Sequence, residues 1–158
     1  DVLAWSRSLT PEIAAQSGAE SVGWEELLKR SDFLTVHVPL RESTHNLIGR
    51  REFALMKPGA ALINTARGPI VDTDALIDAV QSGHLGGAAL DVYDMEPLPP
   101  DHKLRRLDNI VLTPHLGYVT RDEYEIQFTD IFDQIVAFAE GHPINVVNPD
   151  VLTSKSRR

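Results

Sequence analysis

Short apolar runs alternate with helix-forming segments along almost the whole chain. Runs of this kind are typical of strands that are buried on both faces of a parallel sheet. They predict strands at Val2–Trp5, Phe33–Val36, Ala61–Asn64, Gly87–Val92 and Ile110–Leu112. Because strands that alternate with helices favour parallel pairing, we predict an α/β fold with a doubly wound, mostly parallel sheet that has helices on both faces.

The segments between these runs carry the start and stop signals of helices. Pro11 is tolerated in a first helical turn, and Gly18 ends that helix. Asp72 is placed to cap a further helix, which Gly83 stops. The buried face of that helix is predicted to be Ala75, Leu76, Ala79 and Val80. Two shorter helices are predicted, at Trp24–Arg30 and Arg51–Met56.

The clearest helical period lies near the end of the chain. Apolar residues recur there at steps of three and four, namely Phe128, Ile131, Phe132, Ile135 and Phe138. Gly141 and Pro143 end this helix. We interpret the stripe as a core or interdomain contact rather than a cofactor-binding face, and the polar tail at 153–158 as loose.

Composition narrows the class of protein. The chain has 158 residues, 42% of them hydrophobic, which suffices for a domain with a packed core. Its net charge of −8 disfavours binding to nucleic acid or to an anionic membrane. Without cysteine it has no disulfide or thiolate metal site, and its histidines do not stand at ligand spacing, so no metal is expected. We expect a cytoplasmic location.

Four polar residues that follow predicted strands carry the candidate chemistry. They are Arg67, Asp91, Glu96 and His115. Ligands of open α/β sheets bind at the carboxyl ends of the strands. An arginine binds a carboxylate through two parallel hydrogen bonds, and a histidine paired with a glutamate transfers protons near neutral pH. Together they predict chemistry on a small carboxylic acid whose adjacent carbon gains or loses a proton.

Each of these residues also has a structural alternative. Arg67 is equally consistent with a surface ion pair to Asp72. A lone histidine after a strand, such as His115, is more often structural than catalytic. Glu96 would ordinarily be a solvated loop carboxylate, and Asp91 would cap a turn. Whether Glu96 and His115 are in contact decides between these interpretations.

Three long segments resemble the signatures of the D-isomer-specific 2-hydroxyacid dehydrogenases. They are Leu62–Asp72, Ala88–Pro99 and Leu112–Gly117. The similarity runs from Asp1 to about Asn148, and three motifs in order are a specific signal. The resemblance implies an NAD(P)-dependent oxidoreductase with a Rossmann-like cofactor domain and a discontinuous substrate domain.

The resemblance also implies residue roles. Arg67 would bind the substrate carboxylate and polarise the 2-oxo group. His115 would be the acid/base, oriented by Glu96, while hydride moves between nicotinamide and the C2 of a small 2-oxo or 2-hydroxy acid. The implied cofactor contacts are His37, Val38, Pro39, Thr44, Thr65, Ala66, Arg67, Asp91, His115 and Gly117.

Two features depart from this family. An NAD enzyme usually has an acid after the strand that begins here at Val2, where it binds the ribose hydroxyls. This chain has Ser6, Arg7 and Ser8 instead, so Ser6 and Arg7 are candidate contacts for a 2′-phosphate and we expect NADP rather than NAD. In addition, none of the ten glycines forms the G-x-G-x-x-G turn that the family places just before that strand.

The missing turn has a physical consequence. In the strand order 3-2-1-4-5-6, the absent first strand is central, so the strands at Val2 and Phe33 should lose their hydrogen-bonded link to the rest of the sheet. An unpaired central edge is destabilising and prone to association. We predict that the chain is a fragment or pairs with another copy or chain, and that alone it binds cofactor poorly and turns over nothing.

The predicted organisation has three parts. Residues 1–120 form a partial NAD(P)-binding domain, 121–148 a helix and a strand returning toward a substrate domain, and 149–158 a tail. The resemblance implies a homodimer. The alternative function is a non-catalytic, dinucleotide-sensing module like the related corepressors, which can also keep Arg67, Glu96 and His115. A substrate panel of glyoxylate, hydroxypyruvate and pyruvate separates the two hypotheses.

Overall fold

The computed structural model describes residues 1–152, and the predicted loose tail at 153–158 lies outside this range. The described part contains six strands and five α-helices, with short 3₁₀ helices between some of them. The strands are β1 (Leu3–Ala4), β2 (Glu20–Ser21), β3 (Phe33–Val36), β4 (Ala61–Asn64), β5 (Gly87–Leu90) and β6 (Ile110–Leu112). The helices are α1 (Pro11–Gln16), α2 (Trp24–Arg30), α3 (Arg50–Leu55), α4 (Thr73–Gln81) and α5 (Arg121–Ala139).

The strands pair in parallel but form two separate sheets. β1 pairs with β2, while β3, β4, β5 and β6 form a four-stranded sheet in chain order. In the larger sheet Leu62 lies between Leu34 and Ala88. Within the described residues, no ladder joins β1 to β3. The α/β prediction is therefore confirmed. The predicted loss of a link to the rest of the sheet is wrong for the Phe33 strand, because β3 pairs with β4 along its whole length. The Val2 strand, β1, pairs with β2 and not with the larger sheet.

A groove of about 930 Å³ runs along β1 and β3. It is lined by residues of both strands and by charged residues such as Lys29 and Asp32, and Phe33 is 72% exposed. Trp5 and Trp24 also line it, with their ring centroids 4.6 Å apart. The groove lies along two strands that no ladder joins within residues 1–152.

The core of the larger sheet is centred on β4. Leu62 is fully buried there, and α4 packs beside it with Leu76 and Val80 inward. The predicted face of α4 is confirmed, except that Ile77 is also buried and Ala79 is only partly so. Asp72 caps α4 as predicted, accepting the Ala75 N–H at 3.0 Å. Among residues 1–152, no helix is long and apolar enough to cross a bilayer.

The chain divides into two compact units after Leu116. In the second unit, Thr120 caps the N-terminus of α5 by accepting the Glu123 N–H at 3.2 Å. No side chain of α5 is buried, so within this unit the predicted apolar stripe has no core to face. The strand expected within 121–148 is absent, and residues 149–152 form a short 3₁₀ helix. Pro143 and the left-handed Asn145, with φ of 53°, interrupt the extended backbone that a strand requires.

Candidate active site

The carboxyl ends of β4, β5 and β6 lie side by side at one edge of the sheet. The Asp91 N–H donates to the Asn64 carbonyl oxygen at 3.0 Å, and the Thr113 N–H donates to the Leu90 carbonyl oxygen at 3.0 Å. These bonds continue the ladder just beyond the strand ends. The turns that carry Arg67, Asp91 and His115 are therefore neighbours, as the parallel order predicts.

Asn64 builds the turn that carries Arg67. Its buried side chain accepts the Ala66 N–H at 3.0 Å and donates to the Arg67 carbonyl oxygen at 3.0 Å. Thr65 and Arg67 are exposed on this turn, and the Arg67 guanidinium donates to the Ala66 carbonyl oxygen at 2.6 Å. Asp72 accepts a hydrogen bond from the N-terminus of α4. The structure therefore gives Asp72 a capping role instead of the proposed surface ion pair with Arg67.

Glu96 and His115 form a direct pair. Glu96 Oε2 lies 2.6 Å from His115 Nδ1, with 35% and 32% of the two side chains exposed. Glu96 Oε1 accepts the Tyr93 N–H at 3.0 Å. These two hydrogen bonds, chiefly the one to His115, lower the pKa of the Glu96 carboxyl, and the positive charge of Arg67 adds a smaller effect in the same direction. The sequence could not show whether Glu96 and His115 are in contact, and the structure shows that they are.

His115 lies in a turn that Asp91 holds from both sides. Its φ of 56° is in the left-handed region, which residues other than glycine adopt infrequently. Asp91 is 5% exposed, and its Oδ1 accepts the Thr113 hydroxyl at 2.5 Å and the Leu116 N–H at 2.9 Å. Asp91 thus holds the Thr113 side chain before His115 and the Leu116 backbone after it. A turn-capping role, which the sequence offered as the structural alternative, is present in the structure.

The expected contacts near the start of the chain lie in exposed loops. Ser6 and Arg7 follow β1, and the Arg7 guanidinium donates to the Ser43 carbonyl oxygen at 3.0 Å. His37 follows β3, and its Nε2 lies 2.9 Å from the Thr35 hydroxyl. Arg7 is therefore tethered to the loop after β3, although its side chain remains exposed.

The loop after β3 uses some of its polar groups internally. Thr44 is buried, and its hydroxyl donates to the Pro39 carbonyl oxygen at 2.7 Å and accepts the Arg41 N–H at 2.8 Å. Pro39 is exposed, whereas Val38 packs against the core. Gly117 begins the second compact unit. The roles of these four predicted contacts, Val38, Pro39, Thr44 and Gly117, stay predictions.

Comparison with known proteins assigns the family. The profile described as "D-isomer specific 2-hydroxyacid dehydrogenase, NAD binding domain" matches residues 1–117. This chain belongs to that family. It is 47% identical to a glyoxylate reductase of Thermococcus litoralis over 154 residues. The aligned region covers 97% of this chain and 46% of that protein.

Solved structures resemble this chain in fold and, at about one-third identity, in sequence. A putative D-3-phosphoglycerate dehydrogenase oxidoreductase from Ralstonia solanacearum superposes with a TM-score of 0.83 and 36% identity, over 96% of this chain and 44% of that one. A member of the same dehydrogenase family from Xanthobacter autotrophicus Py2, in complex with NADPH and MES, gives 0.72 and 34%, over 96% and 62% of the two chains. The chain spans about half the length of the glyoxylate reductase described above.

Proposed function

We propose that this chain is part of an NAD(P)-dependent 2-oxoacid reductase, which converts a small 2-oxo acid to its 2-hydroxy acid. The observation that carries the proposal is the 2.6 Å contact between His115 Nδ1 and Glu96 Oε2, at the sheet edge that also carries Arg67. A relative named for glyoxylate reduction supports the substrate class.

The three side chains divide the work on the substrate. When bound, a reduced nicotinamide supplies the hydride that adds to C2. Arg67 binds the carboxylate through its planar fork and polarises the adjacent carbonyl. His115 donates Nδ1–H to Glu96 and gives the proton on Nε2 to the substrate oxygen, so the acid gains one hydride and one proton. The Glu96 carboxylate accepts the Nδ1–H of His115 and fixes the orientation of the ring.

The residues present fit the nicotinamide end of a dinucleotide, but the sequence has no glycine turn for its pyrophosphate. Thr65 is exposed at the carboxyl edge beside Ala66, next to the turns of Asp91 and His115. None of the ten glycines forms G-x-G-x-x-G. We therefore propose that the 158-residue chain by itself binds cofactor weakly and reduces no 2-oxo acid. Robust reductase activity from this polypeptide alone would overturn that part of the proposal.

The cofactor is proposed to be NADP. Arg7 is exposed after β1, between two serines, at the sequence position where an NAD enzyme usually has an acid. Its guanidinium donates to the Ser43 carbonyl oxygen. A 2′-phosphate suits that charge. Titration of the full-length protein with each reduced cofactor is expected to show tighter NADPH binding. Arg7→Ala should remove the preference and Arg50→Ala, which alters an exposed pair with Asp78, should keep it. Equal affinity for both cofactors, or tighter NADH binding, rejects NADP.

The reaction is tested with a panel of glyoxylate, hydroxypyruvate and pyruvate. Full-length protein with NADPH or NADH is expected to oxidise the cofactor in the presence of at least one of them. Each turnover should yield one 2-hydroxy acid per cofactor oxidised. Absence of turnover with the full-length protein would favour the dinucleotide-sensing module instead.

A further inference from the structure

Tyr93 contacts two of the segments that carry the proposed catalytic residues. It follows β5 and is buried, with only 9% of its surface exposed. Its backbone N–H donates to Glu96 Oε1 at 3.0 Å, and its hydroxyl lies 2.8 Å from the Thr113 carbonyl oxygen, two residues before His115. One residue therefore holds the carboxylate by its backbone and the histidine turn by its side chain.

The third segment packs on the same residue. Gly68 follows Arg67, and a Cβ built on it would lie 2.1 Å from the Tyr93 carbonyl carbon and 2.2 Å from its oxygen. No side chain fits between these backbones. The turn of Arg67 thus rests directly on the backbone of Tyr93.

The Tyr93 hydroxyl has one proton and two carbonyl oxygens within reach. The Leu90 oxygen, at 3.0 Å, already accepts the Thr113 N–H, so it keeps a partner without the tyrosine. The Thr113 oxygen, at 2.8 Å, is the nearer of the two. Burial, followed by the negative charge of Asp91, raises the pKa of Tyr93, so the hydroxyl stays protonated at neutral pH. Its distinctive effect is to hold Thr113.

We propose that Tyr93 is a positioning residue whose hydroxyl sets the His115 turn at pairing distance from Glu96. It need not touch the substrate, because its contacts are to backbone and to Glu96. The catalytic meaning of the pair rests on the proposed function, but the geometric claim does not. It is therefore tested first without any turnover.

The first experiment measures the Glu96 carboxyl pKa by carbon-13 NMR in this chain. Tyr93→Phe keeps the ring and the backbone N–H and removes only the hydroxyl. We expect the Glu96 pKa to rise toward its ordinary value, because the His115 turn loosens and the hydrogen bond that chiefly lowers this pKa weakens. Tyr124→Phe, an identical chemical change on the exposed face of α5, should leave it unchanged.

A double-mutant cycle shows whether the effect passes through His115. Arg67 and the Tyr93 backbone N–H are chemically unaltered in every variant, so their effects on the Glu96 pKa are common to all four members of the cycle. In a His115→Ala background, Tyr93→Phe is expected to cause no further change in the Glu96 pKa. An unchanged pKa in Tyr93→Phe alone overturns the proposal, and so does an equal rise in both backgrounds. Thermal unfolding of each variant fixes the temperature at which all are folded.

The second experiment uses the full-length protein. Tyr93→Phe should lower kcat about tenfold or more with little change in KM, because proton donation is misaligned while Arg67 still binds the carboxylate. A rise in KM with kcat unchanged contradicts the positioning role. If the wild-type protein reduces no 2-oxo acid, the proposed function fails while the NMR result still decides the role of Tyr93.

Discussion

At the scale of single residues, the pair of His115 and Glu96 is held firmly and still reachable. About one-third of each side chain is exposed. The buried Tyr93 donates its N–H to Glu96, and the buried Asp91 accepts the N–H of Leu116, the residue after His115. A proton donor needs both properties, since a substrate must reach it and its geometry must not drift. The buried residues Asp91 and Tyr93 supply the second property.

Replacement of His115 tests the proton donor. In the full-length protein, His115→Ala is expected to lower kcat for the best 2-oxo acid by about 10²–10⁴-fold, the usual contribution of a positioned acid. Steady-state loss of NADPH absorbance measures the rate. His142→Ala, at a largely exposed histidine of the second unit, is the matched control. Near-normal turnover in His115→Ala would remove His115 from the mechanism.

Glu96 should also contribute to stability in a pH-dependent way. Because its pKa is lower in the folded chain than the ordinary 4.5, its pairing stabilises the fold above pH 4.5. That contribution is lost as pH falls through the lowered folded value. Urea unfolding of wild type and Glu96→Gln from pH 7 to pH 3 should show a difference in unfolding free energy that shrinks as pH falls. A difference that is constant with pH contradicts the assigned pairing.

Local position identified Arg67, Glu96 and His115 as candidates, because parallel strands place their carboxyl ends at one edge, and the chemical roles of these residues stay predictions. It was not enough for Tyr93, whose hydroxyl meets a carbonyl oxygen 20 residues further along the chain. Nor did it show that Asn64 is turned inward to build the Arg67 turn. Such roles depend on side-chain contacts that no spacing rule encodes.

At the scale of elements, the sequence predicts the helices and strands whose start and stop residues lie within or next to the element itself. α4 has its cap at Asp72 and its stop at Gly83, and both act where the sequence places them. β2 has only two residues and no pattern, and it exists through its pairing with β1. The strand expected within 121–148 failed because Pro143 and Asn145 do not support extended pairing.

Gly68→Ala tests how the Arg67 turn is seated. The new methyl would meet the Tyr93 backbone at 2.1 Å, and backbone cannot move aside cheaply. We expect a loss of about 1–3 kcal/mol in the free energy of unfolding, as for other overpacked sites. Gly23→Ala, where the added carbon meets nothing within 4 Å, is the control. Urea denaturation measures the free energy of unfolding of both variants. Equal values would show that the Arg67 turn can shift to accommodate the methyl group.

At the scale of the whole first unit, the two sheets share no strand ladder. The smaller sheet has only the short β1–β2 pairing, with bonds from the N–H groups of Glu20 at 2.9 Å and Val22 at 3.1 Å. A two-stranded ladder is marginal alone. The larger sheet has three successive parallel pairings. Its interior bonds should therefore open less often than those of the smaller sheet.

Native-state hydrogen exchange tests this difference. The amides of Glu20 and Val22 are expected to exchange more than about tenfold faster than those of Gly86 and Asp91, which bond across β4 and β5 at 2.9 and 3.0 Å. Two-dimensional NMR of the chain in deuterated buffer follows each amide. Equal protection at all four positions would mean that the two sheets open as a single cooperative body.

The groove along β1 and β3 also equips the chain with a built-in optical reporter. Its two tryptophans, Trp5 and Trp24, both line that groove. Indole emission moves to shorter wavelengths when water is displaced from the ring. Binding of a segment that displaces water from the groove will therefore shift the tryptophan emission of the unlabelled chain to shorter wavelengths.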